Sequence, residues 1–319
     1  MKHNGSSKRR AGNGSRNGSW QVRIGINPIV WSNDDFRDLG GDIPLERCLA
    51  EMQQAGYAGS ELGHKFPKSA DTLSFLLDRY DLQLVSGWHS LHLLERDFDA
   101  ERRDFEKHLE LLRRLGSEVV IVAECSRRIY DDPDRPLHFD ARDNLMSAAD
   151  WQRLAEGLDR LAVVSRDAGL QLVYHHHMGT LVQNRSEIDE LMRRTRDTRL
   201  LVDTGHLTFA DVDPLAVLCD HADRVAHVHL KDVRPDVLMR VRAERHSFST
   251  AVRAGVFTVP GDGGIDFAPL FDVLRAHGYR GWLVVEAEQD PRHSQPLHYA
   301  RMGWDYIRQL TEQVSEVDG

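Results

Sequence analysis

The sequence predicts an α/β fold, a single (β/α)8 barrel, on three observations. Eight short apolar runs recur along the 319 residues. Segments of helical period lie between them, and many of these stop at glycine. Seven of the eight strand ends read from these runs are polar. Strands apolar on both faces belong to parallel sheets covered by helices, and eight strand–helix units in about 300 residues close a barrel.

The runs are "VRIGIN" (22–27), "AGSEL" (58–62), "LQLVSGW" (82–88), "EVVIVAE" (118–124), "LQLVYH" (170–175), "RLLVD" (199–203), "RVAHVH" (224–229) and "GWLVVE" (281–286). Their β-branched content favours extended backbone. The first helical stripe is Leu45, Leu49 and Met52, and the second Leu73, Leu76, Leu77 and Tyr80. Phe105, Leu109, Leu112 and Leu115 form the third. Trp151, Leu154, Leu158 and Leu161 follow, and Phe267, Leu270, Phe271 and Leu274 come late. Gly56, Gly116, Gly169 and Gly278 stand where helices end, as C-terminal caps do. A doubly wound open sheet is the rival. It calls for a glycine-rich phosphate loop after the first strand, and "GINPIVW" offers none. The longest connection, about 230 to 265, follows the seventh run and contains "VRAGVFTVPGDGG". Loops of that length are functional or disordered. Its aliphatic and aromatic residues favour order, either folded over the barrel mouth or as an inert insertion.

Residues 1–20 read as a disordered basic tail, and 21–319 as the catalytic barrel. The tail lacks the apolar stretch of a secretory signal. It holds five Lys/Arg and no acid, so a chain of net charge −9 carries −14 in the remainder. That body opposes a nucleic-acid groove. No stretch is apolar and long enough to span a membrane. Three scattered cysteines suggest no disulfide framework, and a cytoplasmic location is expected.

Barrel enzymes carry their chemistry at the C-terminal strand ends. Those ends here are Asn27, Glu61, Trp88, Glu124, His175, Asp203, His229 and Glu286. Acids and imidazoles gathered on one rim have two readings. One is a divalent metal site of two carboxylates and two imidazoles, which removes the repulsion of packed carboxylates. The other is a metal-free set of general acids and bases. Asp203 in "VDTGH" could also simply cap the next turn.

In "YHHHMGT" alternation puts His175 and His177 on one side and turns His176 towards the helix layer. His175 is then placed as a ligand and His177 above it, beside a substrate. His206 lies three residues past Asp203. In "HVHLKD", His227 shares a side with His229, one layer deeper, and Lys231 lies two beyond. Lys231 is either a cation beside the reacting oxygen or the partner of Glu286 or Glu288 in a salt bridge.

The stretches "VDTGH", "HVHLKD" and "VVEAE" resemble the metal-binding strand ends of the xylose-isomerase-like barrel superfamily. "INPIVWSNDD", "GSELGHKFP", "YHHHMGT", "VRAGVFTVPGDG" and "VVEAEQDP" resemble, more narrowly, its inosose dehydratase family, over residues 22 to 310. The resemblance implies a metal, Mn2+ or Co2+, held at His175, Asp203, His229 and Glu286. Many relatives carry glutamate where His175 stands. It also implies a glutathione requirement and a cyclic keto-polyol substrate, with homo-oligomers compatible. The reaction implied removes water from 2-keto-myo-inositol. That chemistry needs a base for the proton beside the ketone and an acid for the leaving hydroxyl, and His177, His206 and Lys231 are the candidates. Trp31, Glu61 and Trp88 are expected to line the polyol pocket. Three rivals stand beside this. A keto-sugar isomerase or epimerase would use the same enediolate, and a polyol-binding protein would use the pocket without turnover. An apurinic-site endonuclease of similar design needs a basic groove, which the acidic body opposes.

Overall fold

The computed structural model describes residues 20–137 and 146–316, so the expected tail lies outside the described residues except for Trp20. Eight parallel strands close a barrel in the order β1-β10-β7-β6-β5-β4-β3-β2. They are β1 (Arg23–Ile26), β2 (Gly59–Leu62), β3 (Gln83–Leu91), β4 (Val119–Glu124), β5 (Gln171–His175), β6 (Arg199–Asp203), β7 (Val225–Leu230) and β10 (Trp282–Val285). All eight coincide with the expected runs. The main difference is β3, which continues three residues past Trp88 because Leu91 pairs with Glu124 on β4. His89 and Ser90 break the apolar run, so the sequence pattern ends early there. Trp88 consequently sits deeper than the rim.

The outer layer is α1 (Leu45–Ala55), α2 (Ala70–Asp78), α3 (Phe98–Arg114), α4 (Ala148–Asp167), α5 (Arg185–Arg194), α7 (Pro214–His221), α10 (Ala268–Ala276) and α11 (Pro296–Glu316). Their starts are specified locally. Ser147 with Asp150 and Asn184 with Glu187 form reciprocal caps on α4 and α5, satisfying amides that the helix leaves unpaired. Gly56 ends α1 at φ 104°, and a Cβ there would lie 2.7 Å from the Trp304 ring on α11. The glycine therefore serves both the left-handed turn and the helix–helix approach.

The apolar stripes read from the sequence are the inner faces of these helices. Leu49, Met52, Leu73, Leu77, Phe105, Leu109, Leu112, Leu154, Leu158 and Leu161 are all buried in one core between helices and barrel. A second core lies at the C-terminal end of the barrel. The long connection after β7 builds it, with β8 (Asp232–Val233), α8 (Pro235–Ala243), α9 (Phe248–Arg253) and β9 (Phe257–Thr258). β8 and β9 pair antiparallel, and Phe248, Phe257 and Val252 pack with Phe36, Tyr130, Met178 and Phe209 from other strand-end loops. Of the two outcomes weighed for this connection, it folds over the barrel mouth.

Among the described residues no helix is long and apolar enough to cross a membrane. Cys48, Cys125 and Cys219 are free thiols.

Candidate active site

The C-terminal ends of the strands deliver a buried polar cluster. His175 ends β5, Asp203 ends β6, His229 is on β7 and Glu286 follows β10. All four are at most 6% exposed, so their charges must be satisfied by one another, by neighbouring buried side chains or by a bound cation. His175 Nε2 and His229 Nδ1 each lie 3.6 Å from Asp203 Oδ2. His229 Nδ1 is 2.7 Å from Glu286 Oε2, in a geometry that is no hydrogen bond. Asp203 has two distinct oxygens. Oδ1 accepts from the His206 amide at 2.8 Å and caps α6 (Thr204–Phe209), whereas Oδ2 is buried with no hydrogen-bond partner. Capping and cluster membership thus coexist in one side chain. An orphaned carboxylate oxygen facing two imidazoles fits a divalent cation.

A second layer fixes the imidazoles. Glu61 Oε1 accepts from His229 Nε2 at 3.1 Å and from His227 Nε2 at 2.9 Å. Ser86 and Asn27 donate to the same carboxylate at 2.6 and 2.7 Å. Because a carboxylate only accepts, the His229 proton sits on Nε2 and Nδ1 presents a lone pair to the cluster. Burial disfavours the Glu61 charge, but the two histidines outweigh it and hold its pKa well below the usual range. Burial likewise opposes protonation of His229, yet Glu286 and Glu61 raise its pKa. That is a demand for positive charge at this imidazole, which a proton or a metal ion meets.

Lys231 is fully buried behind the cluster. Its ammonium donates to Glu288 Oε1 at 2.7 Å, lies 2.8 Å from Glu286 Oε1 and contacts His206 Nε2 at 3.0 Å. Burial works against this charge, but Asp203, Glu286 and Glu288 outweigh it and raise the lysine's pKa. Lys231 is therefore a fixed cation. An ammonium can only donate, so His206 accepts at Nε2 and carries its proton on Nδ1. Burial and Lys231 depress the His206 pKa, and its ring stacks on Phe248 at 5.9 Å. Gly205 is required for this arrangement: a Cβ there would stand 2.4 Å from Lys231 Cγ.

Glu61, His227 and His229 form one group with ligand atoms within 4.8 Å of one another, and His177, His206 and Glu288 form another. His175, Asp203, His206 and Glu286 have ligand atoms within 4.8 Å of one another. His229 is closer than that to both Asp203 and Glu286. The local bonding differs: His206 Nε2 faces the Lys231 ammonium, whereas His229 Nδ1 has no hydrogen-bond partner.

The cavity above, open to solvent, is lined by His175, His177, His229, Glu286, Glu288 and Trp88 among others. His177 Nδ1 donates to the Met178 carbonyl at 2.8 Å, leaving Nε2 bare. Burial and the neighbouring His175 push its pKa down to about 3, so it is neutral. His176 faces away from the cavity, and its Nε2 accepts from the Asp203 amide at 3.2 Å. The triplet is thus one cluster residue, one backbone support and one cavity wall.

Other expectations fare differently. Trp31 is not on the cavity wall. Its ring is fully buried in the core and its Nε1 donates to Glu51 at 2.6 Å, because α1 packs against the β1 loop there. Trp88 does line the cavity, with its ring 5.3 Å from His175 and 5.7 Å from His177. Glu61 lines it too, although its carboxylate is committed to the histidines. His206 and Lys231 stand behind the wall. Glu124 turns outward, where it accepts from the Leu93 and Ser126 amides. The sequence reading passed over Asn27, Asp34, Asp35 and Tyr130 as wall residues. The acidic pair after the first run, "NDD", was the available signal for two of them.

A metal-ready cluster at the mouth of a (β/α)8 barrel defines the class of protein. The chain belongs to the xylose isomerase-like TIM barrel family, whose model matches residues 30–310. Within it, the chain is 47% identical over 296 residues to the rhizopine catabolism protein MocC of Rhizobium meliloti, covering 92% of this chain and 90% of that protein. It is 45% identical to the inosose dehydratase of Geobacillus thermodenitrificans, covering 91% and 97% of the two chains. The inosose dehydratase of Clostridium beijerinckii is 42% identical over 91% and 98%. Among solved structures, an L-ribulose 3-epimerase matches at TM-score 0.65 with 19% identity, covering 92% and 95%. The probable 3-DHS dehydratase AsbF of Bacillus anthracis matches at 0.65 with 12% identity, covering 90% and 99%. At those identities the likeness is one of fold.

Proposed function

We propose that this chain is a metal-dependent hydro-lyase that removes water from 2-keto-myo-inositol, giving a trihydroxycyclohexane-dione. The observation that carries the reading is the pairing of an orphaned cation cluster with a bare, neutral imidazole nitrogen on the wall of one cavity. Relatives 42–47% identical over nearly the whole chain, several of them named inosose dehydratases, support the substrate. His175, Asp203, His229 and Glu286 would hold the ion, Mn2+ or Co2+. Bound there, it would polarise the ketone and acidify the neighbouring C–H.

The chain's own residues do the rest. His177 Nε2 takes the proton beside the ketone. Glu288 Oε2 is buried without a partner, and burial raises the Glu288 pKa against the pull of Lys231. It gives a proton to the departing β-hydroxyl, which leaves as water while the C–H electron pair becomes the new double bond. Lys231 and His206 keep Glu288 in place. Trp88 and the aromatic cap exclude water from the ring.

The test is ultraviolet absorbance of Mn2+-loaded protein mixed with 2-keto-myo-inositol, beside an EDTA-treated control and an arm with glutathione. A conjugated-dione chromophore that EDTA abolishes supports the reading. A new keto-isomer without the chromophore would move the protein to the isomerase reading. His229→Ala and Glu286→Ala should each lose metal and activity together while the fold survives. An active, metal-free variant of either would overturn the ligand assignment.

A further inference from the structure

Five carboxylates line the cavity, Asp34, Asp35, Glu61, Glu286 and Glu288, and no Lys or Arg is among the lining residues described. Four of the five are already engaged. Glu61 serves His227 and His229. Glu286 and Glu288 face Lys231. Asp34 Oδ1 is held by the His64 ring at 2.6 Å and by its amide at 3.2 Å. Asp35 differs. Its backbone is fixed, since the Asp35 and Phe36 amides donate to Asn33 Oδ1 at 2.8 and 2.7 Å. Its carboxylate has no hydrogen bond or ion pair among the described residues, and it stands at the solvent-open rim. Burial and the neighbouring Glu288 and Asp34 carboxyls push its pKa up to about 7, so its full charge develops only above neutral pH. The nearby Arg128 is bound instead to Asp131 and lies over Tyr130. Glu288 Oε2, the proton-donating oxygen of the proposed reaction, is the other lining carboxyl oxygen without a partner.

We infer that Asp35 is a specificity-determining residue. It accepts hydrogen bonds from ring substituents on the side away from the metal cluster, and its charge turns away ketones that carry a phosphate or carboxylate. The inference rests on the cavity being a keto-polyol site. Anionic ligands are held by arginine forks or lysines, and this wall presents neither. Lys231 and a divalent ion together bring three positive charges against the four lining carboxylates other than the protonated Glu288, before Asp203 is counted. The rim therefore favours hydroxyl donors, and cationic substituents more strongly.

The experiment is titration calorimetry of the Mn2+-loaded protein at about pH 8, where Asp35 is ionised, with three cyclic polyols that differ in one substituent: hydroxyl, carboxylate or ammonium. The expected order of affinity is ammonium, then hydroxyl, then carboxylate. Asp35→Asn should weaken the ammonium ligand and tighten the carboxylate ligand by about tenfold each. That is the effect of one unit charge some 6 Å away in a medium between protein and water. The neutral ligand should stay within about threefold. Asp35→Ser should compress the spread equally, with thermal melts confirming both folds. An unchanged spread, or an equal loss for all three ligands, would overturn the assignment. Failure of all three to bind would overturn it together with the polyol reading. Binding without dehydration of the neutral ketone would count against the proposed reaction alone, because the charge ladder is read without turnover.

Discussion

Replacing Lys231 with methionine removes the buried ammonium and keeps most of the stem's volume. The ammonium lies 2.8 Å from Glu286, 2.7 Å from Glu288 and 3.7 Å from Asp203. The side chain is fully buried, so water cannot take its place. Removing one partner from a buried ion cluster costs about 3–5 kcal/mol, because the remaining charges are left uncompensated. For a chain of this size about 2 °C of melting temperature corresponds to 1 kcal/mol. Lys231→Met in EDTA should therefore melt about 6–10 °C below the parent protein. A divalent ion supplies positive charge to the same carboxylates, so in Mn2+ the difference should shrink to less than half. Metal affinity should hold or rise, since a competing cation is gone. Scanning calorimetry in the two buffers, with a chelator-competition titration, gives all three numbers. A melting point within about 1 °C of the parent in EDTA would refute the counter-charge argument. So would an equal loss with and without Mn2+.

Glu61→Gln should cost about 10–100-fold in metal affinity with little change in fold, since Glu61 sets the His229 tautomer; chelator competition measures it, and unchanged affinity would remove Glu61 from that role. Gly205→Ala should displace the Lys231 stem, because the new Cβ would come 2.4 Å from Cγ; turnover should fall at least tenfold while α6 persists, and a fully active variant would show that the glycine is not needed for the lysine. Glu124 gives a pH effect. Burial pushes its pKa from 4.5 to about 7, with the Ser126 and Leu93 hydrogen bonds opposing. A raised folded-state value means the folded chain binds the proton more tightly. The stabilisation is present below pH 4.5 and is lost as pH rises through about 7. At 1.36 kcal/mol per unit it amounts to about 3 kcal/mol. Urea unfolding from pH 5 to 8 should show that slope in the parent and a flatter one in Glu124→Gln; parallel slopes would contradict it.

Much of this protein was legible in its sequence because strands and helices announce themselves by period. The eight β-branched runs and the Leu and Phe stripes gave the barrel, since side chains of period two or near four can be buried on only one kind of surface. The rim residues followed, because a strand's last residue has a fixed position in a barrel. His175, Asp203, His229 and Glu286 were readable on that ground.

What each rim residue faces was decided by tertiary packing. Trp31 and Trp88 look alike in sequence, yet one bonds Glu51 on α1 and the other lines the cavity. Glu124 ends β4, and Glu61 lies one residue before the end of β2. Glu61 finds histidines across the barrel, 166 and 168 positions away, and Glu124 finds loop amides outside it. His206 and His229 differ in their partners, Lys231 for one and Glu61 for the other. A hydrogen-bond partner distant in the chain selects the tautomer. Local sequence specifies where a side chain starts; the closure of the barrel specifies what it meets.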